Sequence, residues 1–238
     1  MVFMIFFQMD MQRFFQVYIV QGIVGIIWAI IAYKILDRGR KRLNLILASF
    51  YLCGIISIFL NFIYAPLTDE TAVYVLNFLT NFGFFVAPIF LVVFEILLLK
   101  SNKIFGTKKQ LFIIIGYAAL LSSVLLIPNG VVINESTGWK PVWTLPYFIY
   151  TVVITSIFAV LPSIHFGMKI YHKFKDNALK KKWRFFLVGL IFIYIFTYGT
   201  FLSNTLNIQE FRSIWGVAAL SLTISGPILL YYGVGKQV

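Results

Sequence analysis

Apolar residues dominate this chain in long runs, broken at intervals by short polar segments. Crossing a bilayer takes about 20 apolar residues in helical form, because a helix satisfies every backbone N–H and C=O where lipid offers no partner. Seven runs meet that length: about Phe14 to Tyr33, Leu43 to Tyr64, Val73 to Leu99, Gln110 to Ile127, Thr144 to Tyr171, Phe185 to Thr205 and Ser213 to Gly235. The pattern predicts an all-α fold, a polytopic seven-transmembrane helix bundle over residues 14–238 behind an N-terminal external segment, residues 1–13. Met1 to Phe7 is apolar but short, with no basic residue before it and no small-residue cleavage site behind it, so it does not read as a signal peptide.

The breaks between the runs carry the charge. Five basic residues, Lys34, Arg38, Arg40, Lys41 and Arg42, follow the first run, and Lys100, Lys103, Lys108 and Lys109 follow the third. Seven more, from Lys169 to Arg184, lie at the end of the fifth or after it, and Lys236 follows the last. Only Arg13, Lys140 and Arg212 fall on the other side. An excess of Lys and Arg marks cytoplasmic flanks, which places the N-terminus outside and the C-terminus in the cytoplasm. The longest opposite-side connection, holding Trp139, Lys140 and Pro141, is the best candidate for an ordered external lid.

Composition changes the picture little. The chain is 61% hydrophobic and 12% charged, with mean hydropathy +0.91, far from a soluble domain. The net charge of +12 would suggest a nucleic-acid partner in a soluble protein; here topology accounts for it, and membrane lipids, not nucleic acid, are the expected partners. The single cysteine, Cys53, excludes an internal disulfide. Trp28 and Trp183 fall near cytoplasmic ends and Trp139, Trp143 and Trp215 near external ends, as interfacial belts prefer.

The third run holds Asn77, Asn81, Pro88 and Glu95 at spacings that share one helical face. Polar groups inside a span are costly unless they pair, face the bundle interior or reach water, so this stripe is either inter-helix glue or a ligand or water pocket. Asn61, Asn77, Asn81, Tyr198 and Asn204 lie in outer halves and together would line an outward-facing cavity, uncharged and rich in amides, suited to a neutral or apolar ligand. Glu95 lies about one turn from Lys100, close enough to snorkel or pair at the cytoplasmic edge. His165 sits at similar depth, and a Glu95–His165 contact would make a proton-sensitive coupling pair. Pro88, Pro162 and Pro227 mark kinks, which are structural or serve as hinges. Lys173, Lys175, Lys180, Lys181, Lys182 and Arg184 form a basic surface for lipid headgroups or a cytoplasmic partner. Asn134-Glu135-Ser136 matches a glycosylation acceptor.

Missing residues narrow the field. No lysine lies between Ser213 and Gly235 to hold retinal as a Schiff base, so no cofactor is expected. The third run ends Leu99-Lys100 and the seventh has Gly226-Pro227, unlike the acidic-Arg and Asn-Pro pairs of G-protein-coupled receptors. His165 and His172 are the only histidines, and no phosphate loop or nucleophile elbow occurs, which argues against an enzyme and against a metal site.

The stretch Asn81-Phe82-Gly83-Phe84-Phe85-Val86-Ala87-Pro88-Ile89-Phe90, continuing to Phe94-Glu95, resembles the N-terminal seven-helix sensor region of prokaryotic histidine kinases. The Trp-containing loop Gly138 to Trp143, the basic stretch Lys181 to Phe186 and the ending Tyr231-Tyr232-Gly233 are similar too. The resemblance covers about Phe14 to Gly233. It implies a receptor-like, signal-transducing sensor in the plasma membrane of a prokaryote, with Pro88, Glu95, His165 and Pro227 as coupling or hinge residues. The chain stops at Val238 without a kinase domain, so the signal is expected to pass to a separate cytoplasmic partner. A small-solute transporter or channel is the alternative, although the Pro-Gln signature of seven-helix sugar transporters is absent. An accessory membrane subunit is the second alternative.

Overall fold

The structure, a computed structural model, describes residue 9 and residues 11–100 and 104–235. The N-terminal segment lies largely outside the described residues, as do Lys103 and Lys236. Among the described residues, seven helices are long and apolar enough to cross a membrane: α1 Phe15–Asp37, α2 Arg42–Tyr64, α3 Glu70–Leu99, α4 Thr107–Leu126, α5 Leu145–Lys173, α6 Asn177–Leu206 and α7 Gln209–Val234. Their exposed faces carry large apolar side chains, among them Ile26, Phe112, Ile115, Ile214 and Val217. Such a belt is stable only against lipid, so the chain is an integral membrane protein.

Local chemistry sets several boundaries. Asp69 accepts a hydrogen bond from Ala72 N at 2.8 Å, and this cap starts α3 at Glu70, before the apolar run begins. Asp176 does the same for Ala178 N at 2.9 Å. As a result Lys180, Lys181, Lys182 and Arg184 stand in the opening turns of α6 and not in a loop, while Lys173 closes α5 and Lys175 lies between the two helices. Asn207, with φ of 52°, ends α6 in the left-handed region that asparagine tolerates.

The third helix is the centre of the bundle. Of its most apolar window 67% is buried, against 22% for α4 and for α7. It packs on α2, α4 and α5, while α7 packs on both α6 and α1 and closes the circuit. Contacts at glycine let the helices approach. A Cβ at Gly54 would overlap the Trp28 ring, one at Gly83 would overlap the Ser57 hydroxyl, and one at Gly189 would sit 2.7 Å from Gly226 O. These small residues replace the hydrophobic drive that lipid cannot supply.

The loops with Arg38 to Arg42, Ile104 to Gly106 and Phe174 to Asp176 share one end of the bundle, here called the basic end. Arg38 donates to Tyr231 Oη at 2.8 Å, and Arg42 Nε donates to Gln110 Oε1 at 3.0 Å, which ties α1 to α7 and α2 to α4 there. At the opposite end, strands β1 Val131–Val132 and β2 Val142–Trp143 pair antiparallel and hold the α4–α5 connection as an ordered hairpin. Arg212 Nη2 donates to Pro141 O at 2.7 Å and Arg13 Nη1 to Gly138 O at 3.2 Å, so the hairpin is tied down over α1 and α7.

Three tryptophans expected in interfacial belts are internal. Trp28, Trp143 and Trp183 are 3%, 3% and 2% exposed. The reason for Trp28 is backbone chemistry: Pro227 has no N–H, so the Thr223 carbonyl one turn earlier loses its helical donor, and Trp28 Nε1 donates to it at 2.9 Å. Tyr51 Oη donates to Pro227 O at 2.9 Å. Trp183 Nε1 donates to Gly167 O at 2.8 Å and links α6 to α5. A π-helical stretch, Ser156–Val160, precedes Pro162 in α5, and the Leu161 N–H reaches back five residues to Ser156 O.

Candidate functional site

A cavity of about 260 Å³ opens beneath the hairpin at the end opposite the basic loops. Its walls come from α1, α2, α3, α6 and α7, with Trp139, Lys140 and Pro141 as the roof. Four of the five residues expected to line such a cavity do so: Asn61, Asn77, Asn81 and Asn204. The fifth, Tyr198, does not. Its hydroxyl pairs with Ser156 Oγ at 2.6 Å and faces α5.

The amides are bonded to one another before any ligand arrives. Asn77 Nδ2 donates to Tyr64 Oη at 2.9 Å, and Asn81 Nδ2 donates to Asn77 Oδ1 at 2.9 Å and Asn77 O at 3.0 Å. Asn61 Nδ2 donates to Gln21 Oε1 on α1. Glue and pocket wall are therefore one structure: the bonds that join α1, α2 and α3 also hold the polar wall in place. Several groups on the lining keep polar capacity unused among the described residues. The Thr80 hydroxyl and Arg212 Nε are buried without a partner, and the Asn204 amide makes no hydrogen bond.

The cavity is not uncharged. Arg13, Lys140 and Arg212 line its mouth, and no acidic residue among the described ones does. Sequence position alone places these three cations in separate connections, and the hairpin brings them together. The floor is apolar, formed by Val24, Trp28, Ile58 and Phe84, with Thr223 beside them. Beneath it Phe50, Tyr51, Ala87, Leu91 and Phe94 are all buried and close the bundle.

No family model, curated protein or solved structure matches this chain. The site's meaning rests on its own geometry.

Glu95 belongs to a different place in the bundle. It is 0% exposed, so it neither snorkels nor reaches the edge. Its Oε1 lies where a Cβ on Gly167 would be 2.9 Å away, against α5. The Ser163 and Tyr194 hydroxyls are near enough to interact electrostatically, yet neither carboxyl oxygen nor either hydroxyl has a well-aligned hydrogen bond. His165 is on the exposed face of α5, against Phe166, so the expected Glu95–His165 pair is not formed. One residue turns α5 by about 100°, and the glycine at 167, not the histidine at 165, is what admits the carboxyl. Pro88 is buried in α3 between the cavity and Glu95, and Pro227 sits under the Trp28 contact.

Because Glu95 has no facing cation among the described residues, its charge stabilises nothing. Glu95→Gln is expected to change the unfolding free energy by no more than about 1 kcal/mol. Glu95→Lys would force an unpaired cation into the same contact and cost at least about 3 kcal/mol. Denaturant titration of the two variants in detergent, read by tryptophan fluorescence, checks the contrast; equal losses would mean that the carboxylate charge is held by a partner.

Proposed function

We propose that this protein is a membrane-embedded sensor of receptor type, which takes a small ligand into the cavity beneath the hairpin and passes its occupancy to the basic end. The observation that carries the reading is a polar, pre-organised cavity that ends on a floor of Trp28, Ile58 and Phe84 above a buried apolar core. A transporter needs a route past that floor. Its volume is just below the roughly 300–1,000 Å³ of ordinary small-molecule sites, so the ligand is small. The cationic mouth shifts the expected ligand class from neutral or apolar to one with an apolar body and an anionic or acceptor-rich end, held by Arg212, Asn204 and Thr80.

The output side of the proposal follows from the floor. Trp28 touches the cavity and also holds the Thr223 carbonyl freed by Pro227. Ligand pressure on the indole would therefore act on the α7 turn whose free carbonyl Trp28 holds, and a shift of that turn is the change to be passed on. A cytoplasmic partner would read the change at the basic surface of Lys173, Lys175, Lys180, Lys181, Lys182 and Arg184. This is the function that the resemblance to histidine-kinase sensor regions implies, with the N-terminus outside and a prokaryotic plasma membrane as the setting. An accessory subunit would use the same basic surface without a ligand.

The test is retention of small molecules. Protein extracted in native membrane discs is compared with Asn81→Trp, which fills the cavity, and with Arg212→Gln, which removes one of its three cations. A species enriched on the wild type should be lost from Asn81→Trp and weakened about 10- to 100-fold in Arg212→Gln, as expected for a hydrogen bond from a charged group. Identical small-molecule content in all three would overturn the ligand reading.

A further inference from the structure

A second hollow, of about 630 Å³, lies at the basic end between α3, α4 and α5. It exists because α4 stands apart: it packs along α3 and meets α5 chiefly through the first part of that helix, Leu145–Thr155. Arg42 fixes the start of α4 by bonding Thr107 and Gln110, which sets the gap. Five lysines among the described residues ring it, Lys100, Lys108, Lys109, Lys169 and Lys173, and its apolar lining includes Ile96, Leu99, Ile113 and Phe166, with Phe112 at the open side. Lys109 Nζ donates to Ile104 O at 3.0 Å and closes the turn. The other four lysines are exposed and have no carboxylate partner among the described residues.

We infer that this cleft binds one anionic phospholipid, its phosphate among Lys100, Lys108, Lys169 and Lys173 and one acyl chain along Leu99, Phe112 and Phe166. Charge complementarity selects the head: four ammonium groups with no acid among the described residues of the lining favour an anion between them. The apolar floor selects the tail, since a free phosphate would leave it unused. The open side of the cleft lies between two lipid-facing helices, where Phe112 is 79% exposed, so a chain can enter laterally from the bilayer. The volume lies in the middle of the range for ligand sites. This site is separate from the cavity under the hairpin and from the lysines of α6.

The experiment is native mass spectrometry and thermal unfolding of delipidated protein with phosphatidylglycerol, phosphatidylcholine or inorganic phosphate added. One phosphatidylglycerol should stay bound and raise the melting temperature, with neither effect from phosphatidylcholine or phosphate. In Lys100→Gln/Lys169→Gln/Lys173→Gln its retention should fall roughly a hundredfold, from the contribution of three basic residues near a headgroup. The control Lys180→Gln/Lys181→Gln/Lys182→Gln should retain it. Leu99→Trp, which leaves every lysine and fills the floor, should also lose it. Equal retention of phosphatidylcholine, equal loss in the control, or full retention in Leu99→Trp would overturn the proposal. Equal stabilisation by inorganic phosphate would overturn it in favour of a free-anion site.

Discussion

Trp28→Ala is expected to lower the unfolding free energy by about 3–5 kcal/mol, the usual cost of deleting a buried aromatic side chain. Two effects combine at this residue. Its ring fills the space left by Gly54 and stacks on Phe50 with centroids 5.5 Å apart. Its N–H also satisfies the Thr223 carbonyl, whose usual helical donor is missing at Pro227. Trp28→Phe separates them: most of the packing stays, the carbonyl is orphaned, and the loss should be about 1–3 kcal/mol. Unfolding titrations of both variants check this order. If Trp28→Phe costs as little as an exposed substitution, the carbonyl finds another donor and Trp28 does not anchor the α7 kink.

Gly189→Ala should be nearly as damaging, although it adds one methyl group. The new Cβ would lie 2.7 Å from Gly226 O and 2.8 Å from Leu230 N, and backbone cannot swing aside. Helices α6 and α7 must separate, at a cost of about 1–3 kcal/mol or more. Gly116→Ala provides the contrast. A Cβ there meets nothing within 4 Å, so the better helix propensity of alanine should leave stability unchanged or slightly raised. Melting temperatures of the two alanine variants measured side by side decide the matter, and equal behaviour would mean that the α6–α7 seam is looser than its glycines imply.

The spans were legible in the sequence because length and apolarity alone define them, and lipid imposes both. The ends were less so: Asp69 and Asp176 act through single caps, and a cap moves a boundary by several residues without altering hydropathy. Asn61, Asn77, Asn81 and Asn204 could be read as a group because each interrupts an apolar run in the same half of its helix. Thr80 and Gln21 were visible in the same way, as polar residues within apolar runs. Arg212, Arg13 and Lys140 were not, since only the hairpin fold brings them to one mouth. Tyr198, Glu95 and His165 show the limit of depth as a guide. Sequence position gives the height of a residue in the membrane, while the turn of each helix about its axis, set by contacts such as Glu95 against Gly167, decides what it faces. Trp28 and Trp183 leave the interfacial belts for the same reason, their indoles serving carbonyls inside the bundle.

The most direct test of the closed-cavity account is cysteine labelling in sealed vesicles with a membrane-impermeant thiol reagent added to one side at a time. With Cys53→Ala as background, single cysteines are placed at Asn204 and Asn81 in the cavity and at Leu91 in the 0% exposed core below it. The account predicts labelling of Asn204→Cys and Asn81→Cys only from the side opposite the basic loops, and no labelling of Leu91→Cys from either side. Labelling of Leu91→Cys, or of Asn81→Cys from the lysine side, would contradict it and establish a path through the protein.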